Sequence, residues 1–592
     1  MSWARAWCTA ASIVVAICGC TSRPTLPDRM TVVDPMQLPQ DYIEVGGEWR
    51  DVRVLPAGEH AIDLGEVPAD GVLHLSFFPR GYSEVAPSAS VFVGKTHIQA
   101  VSFDGTEHWT DARIDLSPYA GRGVRCRVLF ASETDIKLSS CGLTAADSTK
   151  PNVLIFLVDT LRRDRLGCYG YERNTSPSID ALALEGFQIE KMISQSSWTR
   201  PAVASLLTST YPSTHRTNDR ANVLRSSLTT VAETLRRSGY FTHAFMSNPT
   251  CLPTWGFGKG FARFRDVGSF TLNPKKDADV VDAVLKALDY AEGMPWFFYV
   301  HTMGPHSPYE PPAPYDAQFL SDTSGLSEQD AERRKLQDLY DGEIAFTDAQ
   351  LGRLVGALKE RGIYDNTVIA VLSDHGEEFW EHGGWGHGHS LFDEVVRIPC
   401  VVKPTARAAG VKVSTDGVCE IVDVAPTMLE LAGLPVPEEF EGRSLVAGAH
   451  ESPSPQYAYS SLYLEKASAY SARSDSLKYI RNIKTDMETW YDLAADPMEL
   501  APLPEPPNQN IDLAQHASRI ARGERTGLNI LITGSLREPY TIEGLVTGEG
   551  LGAYRLQYLA RNGTIASTGD GVSFRVTTSP GPDSHPQIVE WH

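Results

Sequence analysis

Basic residues are in short supply. Against 74 Asp and Glu stand 53 Lys and Arg over 592 residues, for a net charge of −21. Phosphate backbones are gripped by clustered cations, so nucleic acid is excluded as a main partner. The pairs Arg236-Arg237 and Lys275-Lys276 read as solvated helix or loop charge. The nine cysteines contain no CxxC pair, which argues against a cysteine zinc site. Past the N-terminal segment no apolar run reaches the length of a membrane span, and no stretch repeats. What is present is ordinary globular material. With 42% hydrophobic residues on a chain this long, roughly two to four domains are expected. An acidic surface still admits an anionic small substrate, because one cationic pocket with a metal overcomes the distant field.

The N-terminal segment reads as an export signal. Arg5 precedes a small apolar run from Ala10 to Ile17, too short to span a bilayer stably. The run ends in Ile17-Cys18-Gly19-Cys20, which resembles a bacterial lipoprotein signal with Cys20 as the lipidated residue. An ordinary cleaved signal or an uncleaved anchor are the alternatives. Residues 1–20 are then the signal, and 21–41, with four prolines, a tether. The body is expected at the bacterial envelope, facing periplasm or exterior, held to the membrane by its lipid alone. Export permits disulfides, with Cys126 and Cys141 the nearest local pair; free buried thiols are an equally good reading.

From Tyr42 to about residue 147 short alternating runs separated by Gly, Pro and Asp predict a β-sandwich. Leu73, Leu75 and Phe77 alternate there, as do Val124, Cys126, Val128 and Phe130. At Lys150-Pro151 the texture changes to apolar strands alternating with amphipathic helices, the pattern of an α/β sheet covered on both faces. Strands are expected at Val153–Val158, Phe241–Met246, Trp296–Val300 and Val368–Leu372. A long helix should carry Leu336, Leu339, Ile344, Leu351, Leu354 and Leu358 on one stripe. This catalytic domain is drawn from 150 to 503, and a smaller β-rich region from 504 to 592 follows a Pro-rich linker.

Each strand runs into polar residues. Val158 leads to Asp159, Leu372 to Ser373-Asp374-His375, Val300 to His301 and then His306, and Met246 to Ser247-Asn248. In an open α/β sheet the ligand site lies beyond the carboxyl ends of the strands, so these groups can converge. Taken singly, an Asp at a strand end is more often a turn or helix cap. Two carboxylates and an imidazole in one small volume need a cation to offset repulsion and desolvation. Pro201 fits the first turn of a helix, which sets Thr199 at its N-terminus, where free N–H groups favour sulfate or phosphate. Without a metal Thr199 is simply an N-cap.

These motifs together resemble the sulfatase family, within the alkaline phosphatase superfamily. The marks are Asn152–Val158 with Asp159-Thr160-Leu161-Arg162, then Cys168-Tyr169-Gly170, Trp198-Thr199-Arg200-Pro201, Pro305-His306-Ser307-Pro308-Tyr309, Ser373-Asp374-His375-Gly376-Glu377 and Trp490-Tyr491-Asp492-Leu493. The resemblance implies an alkaline phosphatase/sulfatase-like sheet flanked by helices. It implies a metal held by Asp159, Asp374 and His375, with Thr199 as nucleophile and fourth ligand. It implies that His306 and a His of Gly386-His387-Gly388-His389 serve the ester oxygens, with His389 preferred as leaving-group acid and His387 as a substrate contact. Asn248 and Arg200 join as further expected substrate contacts.

Two departures qualify the resemblance. Family members carry Cys or Ser at the nucleophile position, oxidised to formylglycine; a threonine is a secondary alcohol and cannot give that aldehyde. Superfamily phosphodiesterases and phosphoethanolamine or glycerol-phosphate transferases use an unmodified Thr there. Thr160 stands where many sulfatases have another metal-binding Asp, which favours Zn²⁺ or Mn²⁺ and leaves Ca²⁺ open. The expected activity is metal-dependent hydrolysis of sulfate or phosphate esters, small or carried on a glycan or lipid. A phosphoryl transferase or phosphodiesterase is the alternative. A non-catalytic envelope binding protein would have lost ligands piecemeal, whereas Asp159, Asp374 and His375 are all present. An adhesion module built on the sandwich has no sugar-binding signature behind it.

Overall fold

The computed structural model describes residues 40–505 except for 70, 80–85, 104–108, 145–149, 269–276, 409, 414–416, 447–456 and 465–466. Beyond them it describes helix Ile511–Ala521 and five strands between Thr541 and Trp591. The signal, Cys20 and most of the tether lie outside the described residues. Among the described residues no helix is long and apolar enough to cross a membrane. The chain divides into two compact units, the first ending at Asp147 and the second starting at Ser148, with Gly47–Trp49 falling to the second.

The first unit has two antiparallel sheets. One orders Gly58–Glu66, Arg125–Ser132, Ser88–Val93 and Thr96–Ser102; the other orders Glu48–Leu55, Ile136–Thr144, Val72–Pro79 and Thr110–Asp115. Their inward residues, among them Ile62, Leu73, Leu75, Phe77, Val91, Val128 and Phe130, form one core, as the alternation predicts. Cys126 and Cys141 sit on different sheets and are free thiols, so the expected local disulfide is replaced by its alternative. Burial pushes the Cys126 thiol up to about 12, which leaves it inert.

The second unit is built on a sheet whose strands run Phe187–Gln188, Cys400–Lys403, Thr367–Leu372, Asn152–Val158, Trp296–Thr302, Phe241–Met246 and Arg263–Asp266. From Thr367–Leu372 to Arg263–Asp266 all neighbours are parallel, and Cys400–Lys403 is antiparallel. All seven residues of Asn152–Val158 are buried, which explains its unbroken apolar run. Leu154, Phe156, Phe298, Val300 and Val371 pack with Tyr340, Ile344, Leu351, Leu354 and Leu358 of helix Glu328–Glu360 and with Val280, Val281 and Val284 of helix Asp277–Tyr290. The long helix begins earlier than its apolar stripe, because Ser327 caps it through the Asp330 amide.

A four-stranded antiparallel sheet from Ala458 to Asp492 follows. Leu513 and Ala517 of helix Ile511–Ala521 pack on its Tyr459, Tyr470, Tyr479 and Trp490. This helix therefore packs with residues before the expected boundary at 503.

Candidate active site

The register of the parallel strands assembles the centre. Val158 pairs with Thr302, Leu157 with both Leu372 and His301, and Met246 with His301. Four strands thus end at one level, and the residues that follow them meet above the same edge. Asp159, Asp374 and His375 are fully buried and present one ligand atom each within 4.8 Å of one another.

Their donor chemistry fits a divalent cation. Asp374 Oδ1 accepts the backbone N–H groups of His375 at 2.9 Å and Thr160 at 3.3 Å, whereas Oδ2 is buried with no partner. Asp159 Oδ2 accepts from Asn248 Nδ2 at 2.7 Å, and Oδ1 is likewise buried and unpartnered. His375 Nδ1 lies 2.9 Å from the Gly376 carbonyl, to which it donates, so Nε2 offers its lone pair to the cluster. Burial, then the neighbouring His387, lowers the His375 pKa to about 3, the neutral form a ligand requires. Burial and the charge of Asp159 raise the Asp374 carboxyl well above its ordinary range. For Asp159 burial acts upward, but the His301 hydrogen bond and nearby imidazoles outweigh it and hold the carboxyl low. Two unpartnered carboxylate oxygens and one imidazole lone pair are a donor set that suits a divalent cation.

Thr199 opens helix Thr199–Thr208, whose ten residues are all buried, and its Oγ1 lies 3.3 Å from His375 Nε2. Trp198, still extended at φ −154°, turns the chain into the helix and leaves the first N–H groups free of intrahelical partners.

The sulfatase family model matches residues 151–434, and the model for the C-terminal part of N-sulphoglucosamine sulphohydrolase matches residues 380–522. The choline-sulfatase of Rhizobium meliloti (strain 1021) is 26% identical over 440 residues, covering 62% of this chain and 84% of its own length. The multifunctional alkaline phosphatase superfamily protein PehA of Trinickia caryophylli is 25% identical over 399 residues, covering 50% of this chain and 77% of its own. Among solved structures, the phosphonate monoester hydrolase of Agrobacterium radiobacter has a TM-score of 0.51 at 22% identity, over 63% of this chain and 94% of that one. That likeness speaks for the fold. Residues 151–434 form a domain of the sulfatase family. It is accordingly an ester hydrolase by class.

Within this sulfatase-family site the remaining expected residues separate. His387 lies against the cluster, its ring centroid 4.5 Å from that of His375 and 5.0 Å from that of His306. Its Nδ1 donates to Glu377 Oε1 at 2.8 Å. Burial acts to lower its pKa, but the charge and hydrogen bond of Glu377 prevail and raise it. His306 donates Nδ1–H to the Ser307 carbonyl at 2.6 Å, which fixes its ring. His389, the expected leaving-group acid, instead turns to Glu378 Oε2 at 2.7 Å. The two histidines diverge because Gly386 and Gly388 adopt φ of 88° and 72°, a backbone course that the sequence does not reveal.

Asn248 and Arg200 are both bonded within the protein. Asn248 is engaged at both ends, with Nδ2 on Asp159 and Oδ1 accepting from Thr250 N and Oγ1, so it braces the Asp159 carboxylate. Arg200 donates to the carbonyls of Thr250, Asp219, Arg220 and Asn222 and stacks on Trp255 at 4.1 Å, holding a loop. His301, left off the expected site, has Nε2 3.2 Å from Asp159 Oδ2. Its position at a strand end was the available signal. A second His/Glu group, Glu378, His382 and Glu394, is satisfied by protons: His382 Nδ1 meets Glu394 at 2.7 Å and Nε2 meets the Glu499 carbonyl at 3.1 Å.

Proposed function

We propose that this protein is a metal-dependent hydrolase of sulfuric or phosphoric esters in which unmodified Thr199 is the nucleophile, with phosphorus the preferred centre. The observation that carries the reading is the hydroxyl of Thr199, buried at a helix N-terminus 3.3 Å from His375 Nε2 and beside two carboxylates with unpartnered oxygens. Asp159, Asp374 and His375, with Thr199, would hold the ion, here Zn²⁺ or Mn²⁺, which supplies positive charge to the nucleophile and the ester oxygens. Thr199 Oγ forms a bond to phosphorus as its proton passes to solvent. His387, kept protonated by Glu377, gives its Nε2 proton to the departing oxygen as that bond breaks. The free N–H groups at the start of helix Thr199–Thr208 face the charge that develops on the anion. Water then attacks phosphorus and returns a proton to His387 as the P–O bond to Thr199 breaks, and the departing Thr199 oxygen takes its proton back from solvent.

The preference for phosphorus follows from the residue. A phosphoryl-threonine hydrolyses by a second in-line attack, whereas a sulfated threonine lacks the hydrate route by which formylglycine sheds sulfate. The relation to choline-sulfatase supports sulfate esters as the other class.

The test is turnover of sulfate monoesters, phosphate monoesters and phosphodiesters by metal-loaded protein beside Thr199→Ala, with mass spectrometry of the Thr199 peptide. Thr199→Ala should lose roughly three orders of magnitude or more in kcat, as removal of a nucleophile does, and a phosphoryl adduct should be trapped on the parent peptide. Parent-level turnover in the variant removes the nucleophile assignment. Turnover of sulfate esters alone reverses the preference.

A further inference from the structure

Asp159 has one oxygen turned to the cluster, and the protein commits two donors to the other. Oδ2 accepts from Asn248 Nδ2 at 2.7 Å and from His301 Nε2 at 3.2 Å, while Oδ1 is buried without a partner. The donors come from adjacent strands. Asn248 follows Phe241–Met246, and His301 is the penultimate residue of Trp296–Thr302, paired in register with Leu157 on one side and Met246 on the other. His301 thus stands between the strand end that delivers Asp159 and the one that delivers Asn248. Behind it the hydroxyl of Tyr299 lies 3.2 Å from His301 Nδ1, and Tyr299, His301 and Asp159 are all fully buried.

The direction of each hydrogen bond follows from the end of the chain. An ionised carboxylate only accepts, so Nε2 carries the ring proton, and Nδ1 is left to accept from the Tyr299 O–H. One donor alone leaves a carboxylate free to swing about its Cβ–Cγ bond. Two donors converging on the same oxygen from neighbouring strands fix its plane.

We propose that Tyr299 and His301 form a positioning relay that locks Asp159 with Oδ1 facing the ion site, His301 being held as the Nε2–H tautomer by the Tyr299 hydroxyl. The relay rests on the reading of Asp159 as a metal ligand. His301 touches neither ester nor ion; it acts through Asp159, as outer partners of metal ligands do.

The experiment is calorimetric titration of the chelator-stripped full chain with Zn²⁺ and with Mn²⁺, for the parent, His301→Gln, His301→Phe and Tyr299→Phe. Gln can place an amide nitrogen where Nε2 sits and keeps the donor, whereas Phe keeps a ring and removes it. His301→Phe should bind about 10- to 100-fold more weakly, the usual loss on removing an outer partner, with His301→Gln within a few-fold of the parent and Tyr299→Phe between them. Nitrogen-15 NMR of the parent should report the Nε2–H form for His301. His301→Phe binding as tightly as the parent overturns the relay, and so does equal weakening by Gln and Phe, which would mark packing and not the donor. Should His301→Phe fail to fold, Tyr299→Phe and the tautomer decide, and an Nδ1–H form overturns the proposal. A parent that binds neither ion overturns the metal site itself; a parent that binds while His301→Phe matches it overturns the relay alone.

Discussion

Two histidines separated by a single glycine turn to different carboxylates. His387 packs on His375 and His306 with Glu377 behind it, and His389 closes on Glu378 at the rim. His387→Ala should therefore lower kcat by ~10²- to 10⁴-fold on substrates with poor leaving groups, the range for a general acid. The loss should shrink when the leaving group is an acidic phenol that departs unprotonated, and His389→Ala should stay near the parent. Steady-state kinetics on a leaving-group series checks both, and a larger effect at His389 would return the role to it. Away from the site, Glu420 and Asp423 are buried together, and burial followed by the charge of Asp423 raises Glu420 to about 8 from 4.5. A raised carboxyl stabilises fully below its unfolded value and loses that contribution as pH rises toward its folded one. Melting curves should show the parent losing stability relative to Glu420→Gln between pH 4.5 and about 8 and no further above it. A difference that stays flat across that window would show that Glu420 ionises freely in the fold.

At the scale of elements, the loop Gly386–His389 is fixed on helix Thr199–Thr208 through its approach segment, with Gly388 N–H donating to the Ser197 carbonyl at 2.8 Å. Gly388 has φ 72°, and a Cβ there would meet Leu464 Cδ1 at 3.2 Å and Trp198 Cβ at 3.6 Å. Gly388→Ala should cost about 1–2 kcal/mol for a left-handed L-residue and should lower kcat by displacing His387, with melting and turnover measured on the same preparation. Turnover at the parent rate despite lost stability would detach the loop geometry from the chemistry. The same element explains what could be read in advance. Asp159, Asp374 and His375 were legible because unbroken apolar strands ending in polar residues deliver them to one edge whatever the loops do. The choice between His387 and His389 was not, since it depends on two backbone angles. The role of His301 required the strand register, which pairs it with Leu157 and Met246. Arg200 sits one residue from Thr199, yet the helical turn sends its side chain to the Thr250 carbonyl and away from the cluster.

At the scale of the molecule, the centre is a place where stability and function oppose each other. Asp159 and Asp374 are buried side by side in a chain whose net charge is already −21, and without a cation each raises the cost of ionising the other. Asp374→Asn removes that repulsion while its Oδ1 still accepts the N–H groups of Thr160 and His375, and its amide can donate to the otherwise unpartnered Asp159 Oδ1. The metal-free variant should therefore melt above the metal-free parent. Adding Zn²⁺ or Mn²⁺ should reverse the order. An ion that binds only the native state stabilises by about 2.7 kcal/mol at a hundredfold excess over its Kd, a gain open to the parent and denied to a variant that has lost a carboxylate ligand. Paired melting curves with chelator and with metal measure both halves. If Asp374→Asn melts below the parent in chelator, the two carboxylates are not held at a cost that the ion relieves. If it gains as much from the metal as the parent does, Asp374 is not a ligand.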